Sequence, residues 1–149
     1  MSSKKFSIGS DHGGFELKQA LISSLEKEGY EVIDCGCFDT SSVDYPDFAK
    51  LVCNDVNAKN VDFGVLVCTS GIGMSIAANK VKGIRAALCL NLDAGKFSRL
   101  HNNANVCCLG AKYLDVPTAV EIVKTFSNTE FEGGRHCRRV DKFMDFENE

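Results

Sequence analysis

Apolar and polar residues follow one another along this chain in blocks that have the lengths and periods of strands and helices. Short apolar runs predict strands over 6–9, 30–35, 62–68, 84–90 and 106–109. Longer stretches with apolar residues every three or four positions predict helices over 14–28, 47–58, 74–82, 93–100 and 117–126. Strand and helix therefore alternate five times, which is typical of an α/β protein.

Five strand–helix units predict one domain over residues 1–149, built on a doubly wound, five-stranded parallel sheet of Rossmann-like type. No repeat or linker interrupts it. After a Gly-Gly break, the tail over 130–149 is highly charged but contains Val140, Phe143 and Met144. We expect this tail to form a helix outside the sheet and to pack on a second subunit, which makes the protein a dimer.

Composition excludes several classes of partner. The chain is 44% hydrophobic and 25% charged, with a net charge of −3, so no global field favours nucleic acid or an anionic membrane. No apolar run approaches the roughly 20 residues of a spanning helix. No apolar segment follows Lys4 and Lys5 as it would in a signal peptide. We expect a cytoplasmic protein with neither a nucleic-acid nor a membrane partner.

Eight cysteines are unusual for such a chain, and without a signal peptide we expect free thiols rather than disulfides. A zinc site formed by Cys35, Cys37, Cys137 and His136 is the alternative. The chain has no Cys-x-x-Cys pair, and Cys-x-Cys alone is weak evidence for zinc. We therefore predict no metal site.

The segment from Val65 to Met74 carries the most informative pattern. A buried strand ends at Cys68, and Gly71 and Gly73 then allow backbone N–H groups to turn towards one point at the start of a helix. Such a turn predicts an anion pocket with a thiol at its rim, where the thiol proton leaves more readily than in water. The alternative is a structural cysteine before an ordinary turn.

Other polar residues follow the predicted strands, and parallel sheets bind ligands outside the carboxyl ends of their strands. On this rule we expect one crevice lined by Asp11, His12, Asp44, Tyr45, Ser70 and Asn91. His101 is either the cap of a helix or a general acid/base. Arg135 and Arg139 are four apart, so on a helix they share a face and could clamp a phosphate, with Lys112 as a further charge.

The chain contains neither a dinucleotide fingerprint opening its first unit nor a Walker loop, so no cofactor is predicted. A thiol, an anion cradle, a histidine and paired arginines suit proton transfer on a phosphorylated carbonyl compound. The chain resembles the ribose-5-phosphate isomerase type B family, which includes the galactose-6-phosphate isomerase subunits. The resemblance rests on Gly9–Gly14, Asp44–Pro46, Cys68–Gly73, Ala77–Lys80, Gly83–Ala86, His101–Asn105 and Glu132–His136.

The resemblance implies a cofactor-free aldose–ketose isomerase of carbohydrate metabolism that passes through a cis-enediolate. It implies that His101 opens the sugar ring, Cys68 moves a proton between C2 and C1, and Ser70 assists exchange between the oxygens. It further implies three groups of binding residues: Gly71, Ile72, Gly73 and Met74 for the enediolate, Asp11, Tyr45 and Asn102 for the sugar, and His12, Arg135 and Arg139 for the phosphate. It also implies a homodimer or a dimer of dimers in which the two subunits share the site.

Lys112 departs from the family, because relatives commonly have arginine there, and lysine lacks the bidentate fork. All the catalytic residues of the family are present in this one chain, which favours ribose 5-phosphate as the substrate. A six-carbon sugar 6-phosphate of the allose or galactose type remains an alternative. The alternatives from other classes are a phosphate-binding module without activity and a thiol redox module.

Overall fold

Five parallel strands form the centre of the molecule, which is described over residues 4–149 by a computed structural model. The strands are β1 (Lys5–Ser10), β2 (Glu31–Gly36), β3 (Phe63–Cys68), β4 (Ala86–Leu88) and β5 (Val106–Gly110). Their order across the sheet is β2-β1-β3-β5-β4, and every neighbouring pair is parallel. The predicted five-stranded parallel sheet is confirmed.

Helices cover both faces of this sheet. They are α1 (Phe15–Lys27), α2 (Tyr45–Asn57), α3 (Ile72–Asn79), α4 (Leu92–Leu100), α5 (Val116–Asn128) and α6 (Arg135–Met144). Helices α1, α4 and α5 pack together on one face, and α2 packs against α3 on the other, so the doubly wound arrangement is confirmed. Within residues 4–149, no helix is both long enough and apolar enough to cross a bilayer.

Several predicted boundaries are wrong, among them those of the third helix, which was expected over 74–82 but spans Ile72–Asn79. The fourth strand was expected over 84–90 but spans Ala86–Leu88, because the side chain of Asn105, rather than a strand backbone, accepts the Arg85 N–H at 2.8 Å. The second helix was expected from residue 47 but begins at Tyr45, because Pro46 is pre-organised for the first helical turn. Tyr45 is consequently held by a helix instead of a free loop.

The sheet separates two apolar layers, and β3 lies at its centre with all six residues buried. Val65 and Val67 face the layer of α1 and α5, where the rings of Phe63 and Phe126 meet edge to face at 5.3 Å. Leu66 and Cys68 face α2 and α3. Because residues of a strand alternate between faces, Cys68 emerges from the sheet on the side of α2 and α3.

The tail forms the expected helix, α6, followed by a short 3-10 turn over Asp145–Asn148. It docks on its own chain, because the Glu147 carboxylate accepts the Gly83 N–H at 2.9 Å and Val140 is buried. Phe146 stays 66% exposed. Packing of this tail on a second subunit stays a prediction.

Candidate active site

The crevice between β1 and β3 is the point at which the sheet reverses its winding. From β1 the chain moves outward to β2, and it then returns to the other side of β1 as β3. The loops after β1 and β3 therefore diverge and leave a gap at the carboxyl ends of these strands. Asp11 and His12 line one side of this gap, and Cys68 begins the other.

The turn after Cys68 requires glycine at position 71. Gly71 has a φ of +79°, in the left-handed region that side chains rarely adopt. A Cβ there would also lie 2.9 Å from the Leu109 carbonyl carbon and 3.0 Å from the Gly110 nitrogen, which are backbone atoms of β5. Conformation and close packing together exclude a side chain, so this turn lies directly against the sheet.

Four backbone N–H groups open the helix at this turn, and two of them already have partners. Gly71 N–H donates to the Cys68 sulfur at 3.1 Å, and Ile72 N–H donates to the Ser70 hydroxyl at 3.2 Å. Among the described residues, the N–H groups of Gly73 and Met74 donate to no backbone or side-chain acceptor. These two donors are available to an oxyanion, whereas the other two hold the thiol and the hydroxyl in place.

Tyr45 covers the same turn from α2. Its ring lies so close to Gly73 that a Cβ on this residue would meet the ring Cζ at 2.7 Å. The tyrosine side chain is 39% exposed, so one part packs on the turn and the rest faces the crevice. Gly73 is therefore needed for space, and Tyr45 stands beside the two available donors.

Asp11 and His12 are fixed by the backbone around them. The Asp11 carboxylate is buried and caps the following turn by accepting the Gly14 N–H at 3.0 Å. His12 is exposed, and its Nδ1 accepts the Val43 N–H at 3.2 Å. Because Nδ1 accepts, the neutral ring carries its proton on Nε2, where it can be donated to a ligand.

A buried ion pair anchors the loop that reaches Val43. The Lys18 side chain is fully buried, and its Nζ donates to Asp34 Oδ1 at 2.7 Å. The same oxygen accepts the Gly36 N–H at 2.9 Å, at the point where β2 ends. The pair thus fixes the start of the loop that holds His12.

Asn91, which was expected in the crevice, and Lys112, which was expected as a further charge, differ in their roles. Lys112 lies at this edge, where it lines a surface cavity of about 560 Å³ together with Gly13 and Thr69. Asn91 instead caps α4, because its side-chain oxygen accepts the Ala94 N–H at 2.8 Å. The expectation that Asn91 is free to line the crevice is not supported, since a cap employs this oxygen.

His101 and Asn102 lie at the opposite edge of the sheet. They follow α4 in a turn that two half-buried arginines hold: Arg85 Nε donates to the Asn103 carbonyl at 2.6 Å, and Arg99 Nη1 donates to the Ala104 carbonyl at 2.7 Å. This turn precedes β5, so it stands at the amino ends of the strands. Burial lowers the pKa of both arginines.

The His101 ring stacks on the His136 ring, with 4.2 Å between centroids and 14° between planes. His101 Nε2 lies 3.8 Å from one oxygen of Glu132, and His136 Nε2 lies 3.9 Å from the other. His136 is 7% exposed, and its Nε2 has no hydrogen-bond partner among the described residues. Desolvation and the neighbouring His101 lower the pKa of His136.

The predicted site residues thus form two groups at opposite edges. Asp11, His12, Tyr45, Cys68, Ser70, Gly71, Ile72, Gly73, Met74 and Lys112 lie at the carboxyl edge, and His101, Asn102, Arg135 and Arg139 lie at the amino edge or on α6. The Asn105 carbonyl accepts the Gly64 N–H at 3.0 Å, and Gly64 is four residues before Cys68. About 13 Å of strand therefore separates the groups within one chain.

The arginines of the second group are exposed. Arg135 opens α6 and Arg139 lies one turn further, so they share a face of the helix as predicted. The sequence motifs included Arg85 and Glu132 without assigning a role to either, and His136 was named only as a ligand of the alternative zinc site. The spacing of Glu132 and His136, four residues apart, was the available indication that they act together.

All eight cysteines lie within the described residues, and each is a free thiol. Burial raises the pKa of Cys53 to about 12, and burial also raises that of Cys108, so both remain protonated at neutral pH. Cys35 and Cys37 lie at the end of β2 and Cys137 lies on α6, and none of the three belongs to a group of metal-binding side chains among the described residues. The alternative zinc site of these three cysteines and His136 therefore does not form.

Comparison with known proteins gives a consistent result. Residues 6–143 match the ribose/galactose isomerase family model. The chain is 41% identical to ribose-5-phosphate isomerase B of Escherichia coli over 138 residues, which are 93% of each protein. The solved ribose-5-phosphate isomerase B of Clostridium thermocellum is 48% identical, with a TM-score of 0.94 over 97% of both chains. The type B enzyme of Trypanosoma brucei is 41% identical, with a TM-score of 0.92 over 97% of this chain and 99% of that one.

Proposed function

The chain belongs to the ribose/galactose isomerase family and is an isomerase, and on this premise we propose that it interconverts ribose 5-phosphate and ribulose 5-phosphate. One observation carries the proposal: the Cys68 sulfur, held by the Gly71 N–H, lies beside the two N–H groups of Gly73 and Met74 that have no acceptor. Removal of a proton next to a carbonyl needs a base and an oxyanion cradle, and this turn supplies both.

In the proposed reaction, the Cys68 thiolate takes the proton from C2 of the open-chain aldose. The electron pair moves into the C1–C2 bond, and the negative charge that develops on O1 is stabilised by the N–H groups of Gly73 and Met74. The thiol then returns its proton to C1, which gives the ketose. The Ser70 hydroxyl, whose oxygen accepts the Ile72 N–H, passes the proton between O2 and O1.

The sugar is held by groups at the same edge. Asp11 and Tyr45 flank the turn and offer a carboxylate and a phenol to the sugar hydroxyls. At this edge His12 Nε2–H is a hydrogen-bond donor and the Lys112 ammonium is a cation, and we assign both to the phosphate.

A second subunit completes the proposed site. His101, Asn102, Arg135 and Arg139 cannot reach Cys68 of their own chain, because about 13 Å of strand intervenes. In a homodimer, the amino-edge group of one subunit would face the carboxyl-edge group of the other, where His101 opens the furanose ring and the arginines bind phosphate. Exposed apolar side chains on α3 and α4 support an interface there: Ile72 is 51% exposed, Ile76 58% and Phe97 42%.

The primary test is isomerase activity on ribose 5-phosphate beside the 6-phosphates of allose and galactose, with Cys68→Ala as the variant. We expect turnover of ribose 5-phosphate that falls by at least about 10²–10⁴-fold in the variant. Cys108→Ala is the matched control, since it removes a thiol from the same apolar layer without touching the turn. Faster turnover of a six-carbon substrate would replace ribose 5-phosphate in the proposal, and full activity of Cys68→Ala would remove Cys68 from it.

Subunit mixing tests whether the site is shared. Cys68→Ala and His101→Asn chains are each expected to be inactive, yet a mixed dimer contains one site with both residues intact. Unfolding and refolding an equal mixture should restore about a quarter of the wild-type activity, since half of the dimers are mixed and each has one working site. An inactive mixture of folded dimers would contradict the shared site.

A further inference from the structure

His101, Glu132 and His136 form a compact group of three metal-binding side chains. One potential ligand atom of each residue lies within 4.8 Å of the other two. Two imidazole nitrogens and a carboxylate oxygen are a ligand set that zinc adopts in proteins, with a fourth position left for water. No role in the proposed reaction accounts for Glu132 or His136.

The buried nitrogen of His136 is the second observation. The side chain is more than nine-tenths buried, and its Nε2 has no hydrogen-bond partner within residues 4–149. A buried nitrogen without a partner carries a desolvation cost that an approaching ligand removes. This nitrogen points towards Glu132, which is the remaining member of the group.

Coordination of an ion would require the three ligand atoms to move closer together. Zinc bonds of about 2.0–2.2 Å place two tetrahedral ligand atoms about 3.4 Å apart. The His101 and His136 nitrogens lie 3.8 and 3.9 Å from different oxygens of Glu132. With one ligand atom from each residue, the three atoms lie within 4.8 Å of one another, so coordination must draw them together by up to about 1.4 Å. The stacked rings must also fan apart slightly, which the partly exposed His101 ring at the end of α4 allows.

We propose that His101, Glu132 and His136 bind a divalent transition-metal ion of the zinc or nickel type. The single carboxylate and the neighbouring guanidinium groups of Arg135 and Arg139 make this a site of moderate affinity. A bound ion occupies the Nε2 lone pair of His101, so it prevents this ring from acting as an acid or base. The metal site therefore inhibits the isomerase, a consequence that rests on the proposed function, whereas metal binding itself does not.

The binding test is calorimetric titration of Zn²⁺ into the full chain, kept reduced and freed of metal beforehand. We expect one ion per chain, with affinity reduced at least about tenfold in Glu132→Gln and in His136→Asn. Glu132 is half-exposed, so Glu132→Gln should fold even where His136→Asn does not. Cys137→Ser and His12→Asn are the matched controls, because they remove an exposed thiol beside His136 and an exposed imidazole elsewhere.

The absorption spectrum of the Co²⁺ form gives an independent result, because thiolate ligands add a charge-transfer band that imidazole and carboxylate do not. The proposal predicts that this band is absent. It is overturned by the presence of this band, by loss of binding in Cys137→Ser or His12→Asn, by unchanged binding in both Glu132→Gln and His136→Asn, or by no binding at millimolar zinc.

Inhibition is measured separately, as the zinc concentration that halves the isomerase rate in the wild type and in Glu132→Gln. We expect the variant to need at least about tenfold more zinc. Equal sensitivity of both proteins would overturn the inhibitory role. A chain that binds zinc as described but isomerises no sugar phosphate would retain the metal site and contradict the proposed function, so the two failures are distinguishable.

Discussion

The two edges of the sheet are built in different ways. At the carboxyl edge, backbone groups shape the candidate site: the N–H groups of Gly71 and Ile72 position a thiol and a hydroxyl, and those of Gly73 and Met74 remain available. At the amino edge, side chains from a helix end and the tail make the group, with His101 stacked on His136. The first arrangement suits a developing oxyanion, and in the proposed dimer the second would supply proton-transfer and phosphate-binding groups to the other subunit.

The largest expected effect separates the tasks of the two edges. His101→Asn should slow turnover of ribose 5-phosphate by about 10²–10⁴-fold, because the furanose ring must open before a proton leaves C2. Erythrose 4-phosphate has no free hydroxyl that could close such a ring. Initial rates with both substrates are the measurement.

If the four-carbon compound is a substrate, His101→Asn should turn it over at nearly the wild-type rate, while Cys68→Ala should lose both activities. Equal losses on the two substrates in His101→Asn would show that this ring has a task other than ring opening.

A smaller effect concerns stability and compares two glycines with positive φ. Gly71→Ala should lower the free energy of unfolding by about 2–5 kcal/mol, since left-handed strain adds to a clash with the β5 backbone. Gly133 has a φ of +73° at the amino edge, but the nearest atom to an added Cβ is Cys137 Sγ at 3.6 Å. Gly133→Ala should therefore cost about 1 kcal/mol.

Urea unfolding of both glycine variants measures this difference. Similar losses would mean that the Gly71 turn can move away from β5, which would contradict its role as a rigid oxyanion cradle.

The smallest effect concerns the phosphate. Lys112→Ala should raise KM for ribose 5-phosphate about tenfold with little change in kcat, because one charge-assisted contact is lost at an exposed position. Lys112→Arg should retain the wild-type KM or lower it, since a guanidinium binds phosphate with two parallel hydrogen bonds. Steady-state kinetics of the two variants measure these KM values. An unchanged KM in Lys112→Ala would mean that His12 and the arginines bind the phosphate without Lys112.

The carboxyl edge could be predicted from the sequence because its rules are local and topological. Strand length, the glycines after Cys68 and the position of ligand sites in parallel sheets together located Asp11, Tyr45, Cys68 and Ser70 at one edge. The details of the turn could not be predicted. Whether an N–H group binds a side chain or remains available depends on torsion angles that glycine spacing does not determine.

The amino edge was less predictable because its contacts are distant along the chain. His101 and His136 are brought together by the docking of α6, and the turn before β5 is held by Arg85 and Arg99. Periodicity predicts that α6 is a helix but not which surface it covers. The order of a helix over 93–100 and a strand over 106–109 does imply that His101 precedes a strand, but it does not indicate which residues of the tail meet its ring.

The separation of the two edges has a consequence for how the activity depends on protein concentration. If each active site needs the carboxyl edge of one chain and the amino edge of another, a folded monomer has no activity. Dilution below the dissociation constant of the pair then abolishes turnover as completely as a mutation does, although every chain keeps its fold. Mild denaturant that dissociates the subunits should likewise abolish activity before any helix unfolds. The activity per chain then depends on the concentration of the protein itself.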